Sequence, residues 1–254
     1  GNGVDSLVVG ANSTVTATVT ANWTAVGDAA NTNLAAATLN LAAGVTTVNL
    51  AADATVGANI NGWIINANAA TASAITGSSS ADTITGGGAA DTITGGAGAD
   101  SLTGGAGIDT FNQGALSTIA VSGQTLAGAT FAAGDTVTIA AAGPVGGADR
   151  IIDFTTADLL NLTTGAGLAP TNLFGVVAAG GVQNTVYQVR GTYTAATGAF
   201  VLGAAGTAGN DVLVVQMLAA NGALNQAGNT NNIVLVGAAT GVAAGNFLVG
   251  ANIV

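Results

Sequence analysis

A nine-residue period runs without interruption from residue 77 to residue 112, and so short a period leaves a chain few ways to fold. The four copies read GSSSADTIT (77–85), GGGAADTIT (86–94), GGAGADSLT (95–103) and GGAGIDTFN (104–112). The last two satisfy G-G-x-G-x-D-x-U-x throughout, where U is a large apolar residue. The second has Ala89 at the fourth-position glycine, and the first keeps Gly77, Asp82 and Ile84. Asp recurs at position six and an apolar residue at position eight in every copy. A flexible Gly-rich linker needs neither.

Each copy divides its labour. The glycine half allows positive φ and lets backbone carbonyls turn inward, while Asp adds an anionic oxygen. The x-U-x half is a short strand whose one apolar residue, Ile84, Ile93, Leu102 or Phe111, faces a core. With one turn and one strand per copy, two copies close one coil. Asp82 then stacks on the turn ending at Asp100, and Asp91 on the turn ending at Asp109. Carboxylates about 4.8 Å apart repel by about 3.5 kcal/mol at an effective dielectric of ~20. A hard cation that takes six to eight oxygen ligands, calcium, reverses that sign, whereas magnesium demands a rigid octahedron and retained water. The candidate ligands are Asp82, Gly86, Gly88, Asp91, Gly95, Ala97, Asp100, Gly104, Ala106 and Asp109. So glycine-rich a coil buries little apolar surface, so its folding should depend on the metal.

The repeats resemble the RTX (repeats-in-toxin) family, whose nonapeptides form a calcium-bound parallel β-roll. The resemblance implies export of the unfolded chain by a type I secretion apparatus, followed by folding in extracellular calcium. Further stretches are similar to the family. Asp149-Arg150-Ile151-Ile152-Asp153-Phe154, followed by Asp158-Leu159-Leu160-Asn161-Leu162, looks like the D-x-I-x-D-F…D-x-I-D-L segment that follows such repeats. Asn246-Phe247-Leu248-Val249 and Asn252-Ile253-Val254 are similar to its C-terminal export signals, with Asn where an acidic residue often stands. Gly1-Asn2-Gly3-Val4-Asp5-Ser6-Leu7-Val8 fits positions two to nine of a nonapeptide. Gly1, Asn2, Gly3, Asp5, Asp149 and Asp153 are second-rank calcium candidates.

The expected fold is all-β: a parallel β-roll or β-helix of calcium-binding nonapeptides flanked by β-rich regions. Three parts are expected: a β-rich region over 1–76, for which stacking on the roll is open, the roll at 77–114, and a C-terminal β-rich domain over 115–254. Strands are predicted at 15–20, 38–41 and 47–50, then at 119–121, 136–139, 186–189, 212–216 and 233–236. An Ala-rich helical turn is least disfavoured at 33–38 and 216–220, and neither has a cap. Trp23 and Trp63 read as core or capping anchors rather than ligand contacts. The stretch 206–214, GTAGNDVLV, reads as a turn in a strand pair rather than a calcium site, and Asp28, Asp53 and Asp135 as ordinary turn residues.

Composition narrows the function classes. All twelve acidic residues are Asp, the only cations are Arg150 and Arg190, and net charge is −10. Such a chain has no electrostatic footprint for nucleic acid or anionic lipid. Every apolar stretch is interrupted well before about 18 residues, so no transmembrane helix is expected. Without His, Cys, Glu or Lys, nearly every common catalytic constellation is missing, and Asp149 with Asp153 is the one formal acid pair. The reading is a non-enzymatic, secreted structural protein of the bacterial cell surface that assembles with itself into a lattice or filament, with a cell-surface glycan as a further candidate partner. The alternative is the C-terminal secretion and folding module of a larger type I secreted adhesin or hydrolase.

Overall fold

The computed structural model describes residues 7–9, 15–25, 30–31, 37–52, 62–112, 136–138, 149–162, 171–172, 186–204, 208–217, 230–238, 243 and 246. Every regular element among them is a β-strand. Among these residues no helix is long and apolar enough to cross a membrane.

From residue 16 to residue 161 the described strands, those at 30–31 and 136–138 apart, alternate between two sheets, as the turn-strand-turn-strand pattern requires. One sheet takes β2 (Thr16–Val19), β5 (Ala37–Leu41), β7 (Trp63–Asn66), β9 (Thr83–Gly87), β11 (Ser101–Gly105) and β14 (Asp149–Ile151). The other takes β3 (Trp23–Thr24), β6 (Thr47–Asn49), β8 (Ala74–Thr76), β10 (Thr92–Thr94), β12 (Thr110–Asn112) and β15 (Leu159–Asn161). All neighbours in these two series run parallel. The parallel β-roll extends past the nonapeptides on both sides. A short parallel pair, β1 (Val8–Val9) with β4 (Ala30–Asn31), lies apart from both sheets.

Register follows the repeat. Ser101 pairs with Thr83 and Leu102 with Ile84, while Ile93 pairs with Phe111, so two nonapeptides make one coil. Because alternate residues of a strand point to opposite faces, this register stacks one apolar residue per strand into the space between the sheets. One stack is Ala17, Leu39, Ile65, Ile84, Leu102, Ile151 and Leu235. The other is Trp23, Val48, Ile75, Ile93, Phe111 and Leu160. Ile84 and Ile93 are 0% exposed, Leu102 2% and Phe111 3%. Each such side chain contributes about 1.5–3 kcal/mol of burial. Trp63 is buried and Trp23 packs half-buried on the same core, the anchoring role expected of both.

The C-terminal strands form an antiparallel set: β13 (Thr136–Thr138), β18 (Ala199–Leu202), β17 (Val186–Thr194), β19 (Asp211–Met217) and β20 (Thr230–Leu235). The two-residue β16 (Thr171–Asn172) lies beside β17. This set continues the first roll sheet, because β20 runs parallel to β14 with Arg150 opposite Val234.

The helical turns considered at 33–38 and 216–220 are not helical where described. Ala37 and Thr38 belong to β5, and Gln216 and Met217 to β19. Cross-strand pairing and core burial outweigh the helix preference of a few alanines there. The strand expected at 119–121 lies outside the described residues, as do Asp28, Asp53 and Asp135.

Candidate metal centre

The coiling brings every position-six Asp onto one of two edges of the roll, where strand gives way from turn. On the first edge the rungs are Trp63, Asp82, Asp100 and Asp149; on the second they are Ser73, Asp91, Asp109 and Asp158. Each Asp accepts, through Oδ1, the backbone N–H of the residue one rung earlier. On the first edge Asp82 takes it from Trp63 at 2.5 Å, Asp100 from Asp82 at 2.8 Å and Asp149 from Asp100 at 3.1 Å. On the second edge Asp91 takes it from Ser73 at 2.7 Å, Asp109 from Asp91 at 2.8 Å and Asp158 from Asp109 at 2.9 Å. All six carboxylates are buried. Coil geometry thus stacks like charges in a dry environment.

The other carboxylate oxygen distinguishes the rungs. Oδ2 of Asp82 accepts from Ser78 N–H at 2.6 Å and from Ser78 Oγ at 3.0 Å. Oδ2 of Asp158 accepts from Thr155 N–H at 2.7 Å and Thr155 Oγ1 at 2.9 Å. Oδ2 of Asp91 and of Asp100 is buried with no hydrogen-bond partner. An unpaired buried carboxylate oxygen carries a desolvation penalty that only a cation or a proton relieves. Burial pushes the Asp91 carboxyl up to about 6, with the Asp109 charge adding to it against the hydrogen bond from Ser73. Asp100 is raised by burial and then by the carboxylates of Asp149 and Asp82, and Asp109 by burial and then by Asp158 and Asp153.

The first-position glycines complete the cradle. A Cβ on Gly95 would overlap Oδ2 of Asp100, and one on Gly104 would overlap Oδ2 of Asp109. A Cβ on Gly86 would lie 2.6 Å from both Asp91 Oδ2 and the carbonyl oxygen of Gly104, one coil further on. Carboxylate, carbonyl and the bare face of glycine therefore meet in one gap. The third-position residues Gly88, Ala97 and Ala106 lie on the preceding coil. Gly88 stands against the Ala69 carbonyl, Ala97 N–H donates to Ser78 O at 3.2 Å, and Ala106 N–H to Gly87 O at 2.9 Å.

Among the described residues no group of three or more acidic side chains could by itself hold a metal ion. The donors are a carboxylate with backbone carbonyls, all hard oxygens with neither nitrogen nor sulfur, which fits calcium.

Asp149 and Asp153, the second-rank candidates, both reach the roll. Asp149 occupies the rung after Asp100. Asp153 accepts from Gly104 N–H at 2.9 Å and Gly105 N–H at 2.8 Å. Gly1, Asn2, Gly3 and Asp5 lie outside the described residues. Asp158 was not among the candidates, although a signal was present: it stands nine residues after Asp149, each followed two residues later by Ile151 or Leu160. Asp211 is a structural bridge, accepting from Tyr193 N–H at 2.7 Å and Gly237 N–H at 2.9 Å. The neighbouring Gly209 has φ +118°, in keeping with the turn expected there.

Compared with known families, residues 76–111 match the RTX calcium-binding nonapeptide repeat in four copies. The repeats of that family bind calcium, and the all-β parallel roll agrees with them. No curated protein matches the chain.

Proposed function

We propose that this chain is an extracellular structural protein that folds around calcium and assembles with its own copies into a surface layer or filament. One observation carries the calcium part of the reading: the buried, partnerless Oδ2 atoms of Asp91 and Asp100 lie inside a stack of carboxylates. The repeat match supports an extracellular setting, where calcium is plentiful. Assembly is supported by composition. Only 6% of residues are charged, and the two arginines are the only tryptic sites, which suits a coat exposed to proteases. The outer columns of the roll carry small polar residues in register, among them Asn40 with Asn66 and Asn112 with Asn161, each pair hydrogen-bonded at 3.0 Å. Catalysis is not part of this reading, since His, Cys, Glu and Lys are absent from the sequence.

Light scattering and electron microscopy of the purified chain at rising concentration test assembly. Ordered particles in millimolar calcium, absent in chelator, are expected. A chain that folds with calcium yet stays monomeric would shift the reading to a secretion and folding module of a larger exported protein.

A further inference from the structure

We propose that Asp100 and Asp149 together hold a calcium ion that fastens the β14–β15 coil, and with it the C-terminal antiparallel strands, to the end of the nonapeptide block. The proposal rests on the calcium reading above and adds a site outside the matched repeats. Asp149 lies 49 residues beyond Asp100, yet it occupies the next rung, its Oδ1 accepting the Asp100 N–H at 3.1 Å. The adjoining strands are in register, with Leu102 opposite Ile151. Asp100 is 0% exposed and Asp149 2%, and Asp100 Oδ2 has no hydrogen-bond partner. Arg150 is next in sequence but follows Asp149 along a strand, where successive side chains point to opposite faces.

The second edge of the same coil is closed differently. Asp158 Oδ2 is taken by Thr155, and both oxygens of Asp153 are taken by Gly104 and Gly105 N–H groups. On the other edge Asp100 Oδ2 is buried without a hydrogen-bond partner, one rung from the buried Asp149 carboxylate. A hard divalent cation turns the repulsion between the two carboxylates into a staple. Its effect passes outward, because β14 pairs on its far side with β20, and β20 with β19.

The test uses the full chain as wild type, Asp149→Asn and Asp211→Asn. Calcium stoichiometry is read by equilibrium dialysis, and backbone order by hydrogen exchange across β9, β14, β19 and β20. Asp149→Asn is expected to bind one ion fewer per chain and to lose protection in β14 and β20 while β9 keeps it. Asp211→Asn, which sets an NH2 group against the Tyr193 N–H, should loosen the C-terminal strands with no change in ion count. An unchanged ion count in Asp149→Asn overturns the staple. If that variant does not fold, the wild type decides: protection of β14 and β20 that rises with calcium supports the staple, and full protection in chelator overturns it. A wild-type chain that binds no calcium overturns the parent reading together with this one.

Discussion

Asp82 and Asp100 are 18 residues apart in sequence and one rung apart in the roll, where Asp82 N–H donates to Asp100 Oδ1 at 2.8 Å. The bond fixes one oxygen of each successive carboxylate and leaves the other to be satisfied locally or by a cation. On this edge Asp100, like Asp91 on the other, is a rung where no hydrogen bond does so. Asp100→Asn keeps an Oδ1 acceptor and removes the buried charge. The variant should hold more β-structure than wild type in chelator at pH 7, yet need at least about tenfold more calcium to saturate, a loss of ~1.4 kcal/mol. Circular dichroism in chelator and calorimetric titration check the two halves separately.

The raised carboxyls set a pH dependence with a definite sign. A buried Asp whose folded pKa lies above its unfolded value binds more protons in the folded state. Its contribution is therefore present below about 4 and is lost as pH rises through the folded value. For Asp91 that loss runs from about pH 4 and is complete a little above the folded value of about 6, and Asp100 and Asp109 shift in the same direction. Without calcium the roll should be more stable at pH 4 than at pH 7. With calcium the order should reverse, because protons compete for the same oxygens. Urea denaturation at both pH values, with calcium and with chelator, tests the reversal.

Glycine at position one is required for space. Gly95→Ala places a methyl group on Asp100 Oδ2 and should abolish the ion site there. Gly44→Ala is the control: nothing lies within 4 Å of its Cβ, and only the positive φ of 87° opposes it. That should cost about 1–2 kcal/mol with calcium affinity unchanged. Terbium luminescence titration separates the two.

Asn246 clamps the last turn of the roll, donating from Nδ2 to Thr156 O at 3.0 Å and Asp158 O at 2.8 Å and accepting Ala243 N–H at 2.9 Å. Asn246→Ala leaves two carbonyls short of a donor and should destabilise the calcium-loaded chain by about 1–3 kcal/mol. Chemical denaturation in saturating calcium measures it.

The roll was legible where its period is strict. Positions six and eight of four copies sufficed to put Ile84, Ile93, Leu102 and Phe111 in a core and to set the 18-residue offset seen between Asp82 and Asp100. Legibility failed where the coil length changes. Asn40 and Asn66 stand on successive rungs 26 residues apart, and Asp100 and Asp149 on successive rungs 49 apart, so no fixed period connects them. Parallel coils tolerate such excursions because pairing needs the strands in register, not the turns of equal length. Asp158 was missed for the same reason, since its nine-residue partner Asp149 follows an interruption. The saturation of Asp82 by the backbone N–H and hydroxyl of Ser78, against the orphaned Asp91 and Asp100, is a detail of one turn that a repeat pattern does not weigh.

The most direct measurement is a calcium titration of the chelator-treated chain at pH 7, followed by far-ultraviolet circular dichroism, with magnesium run in parallel. A cooperative gain of β signal with calcium and none with magnesium is the predicted result. A chain already at full β signal in chelator, or responding equally to magnesium, would contradict a roll held together by calcium at its stacked aspartates.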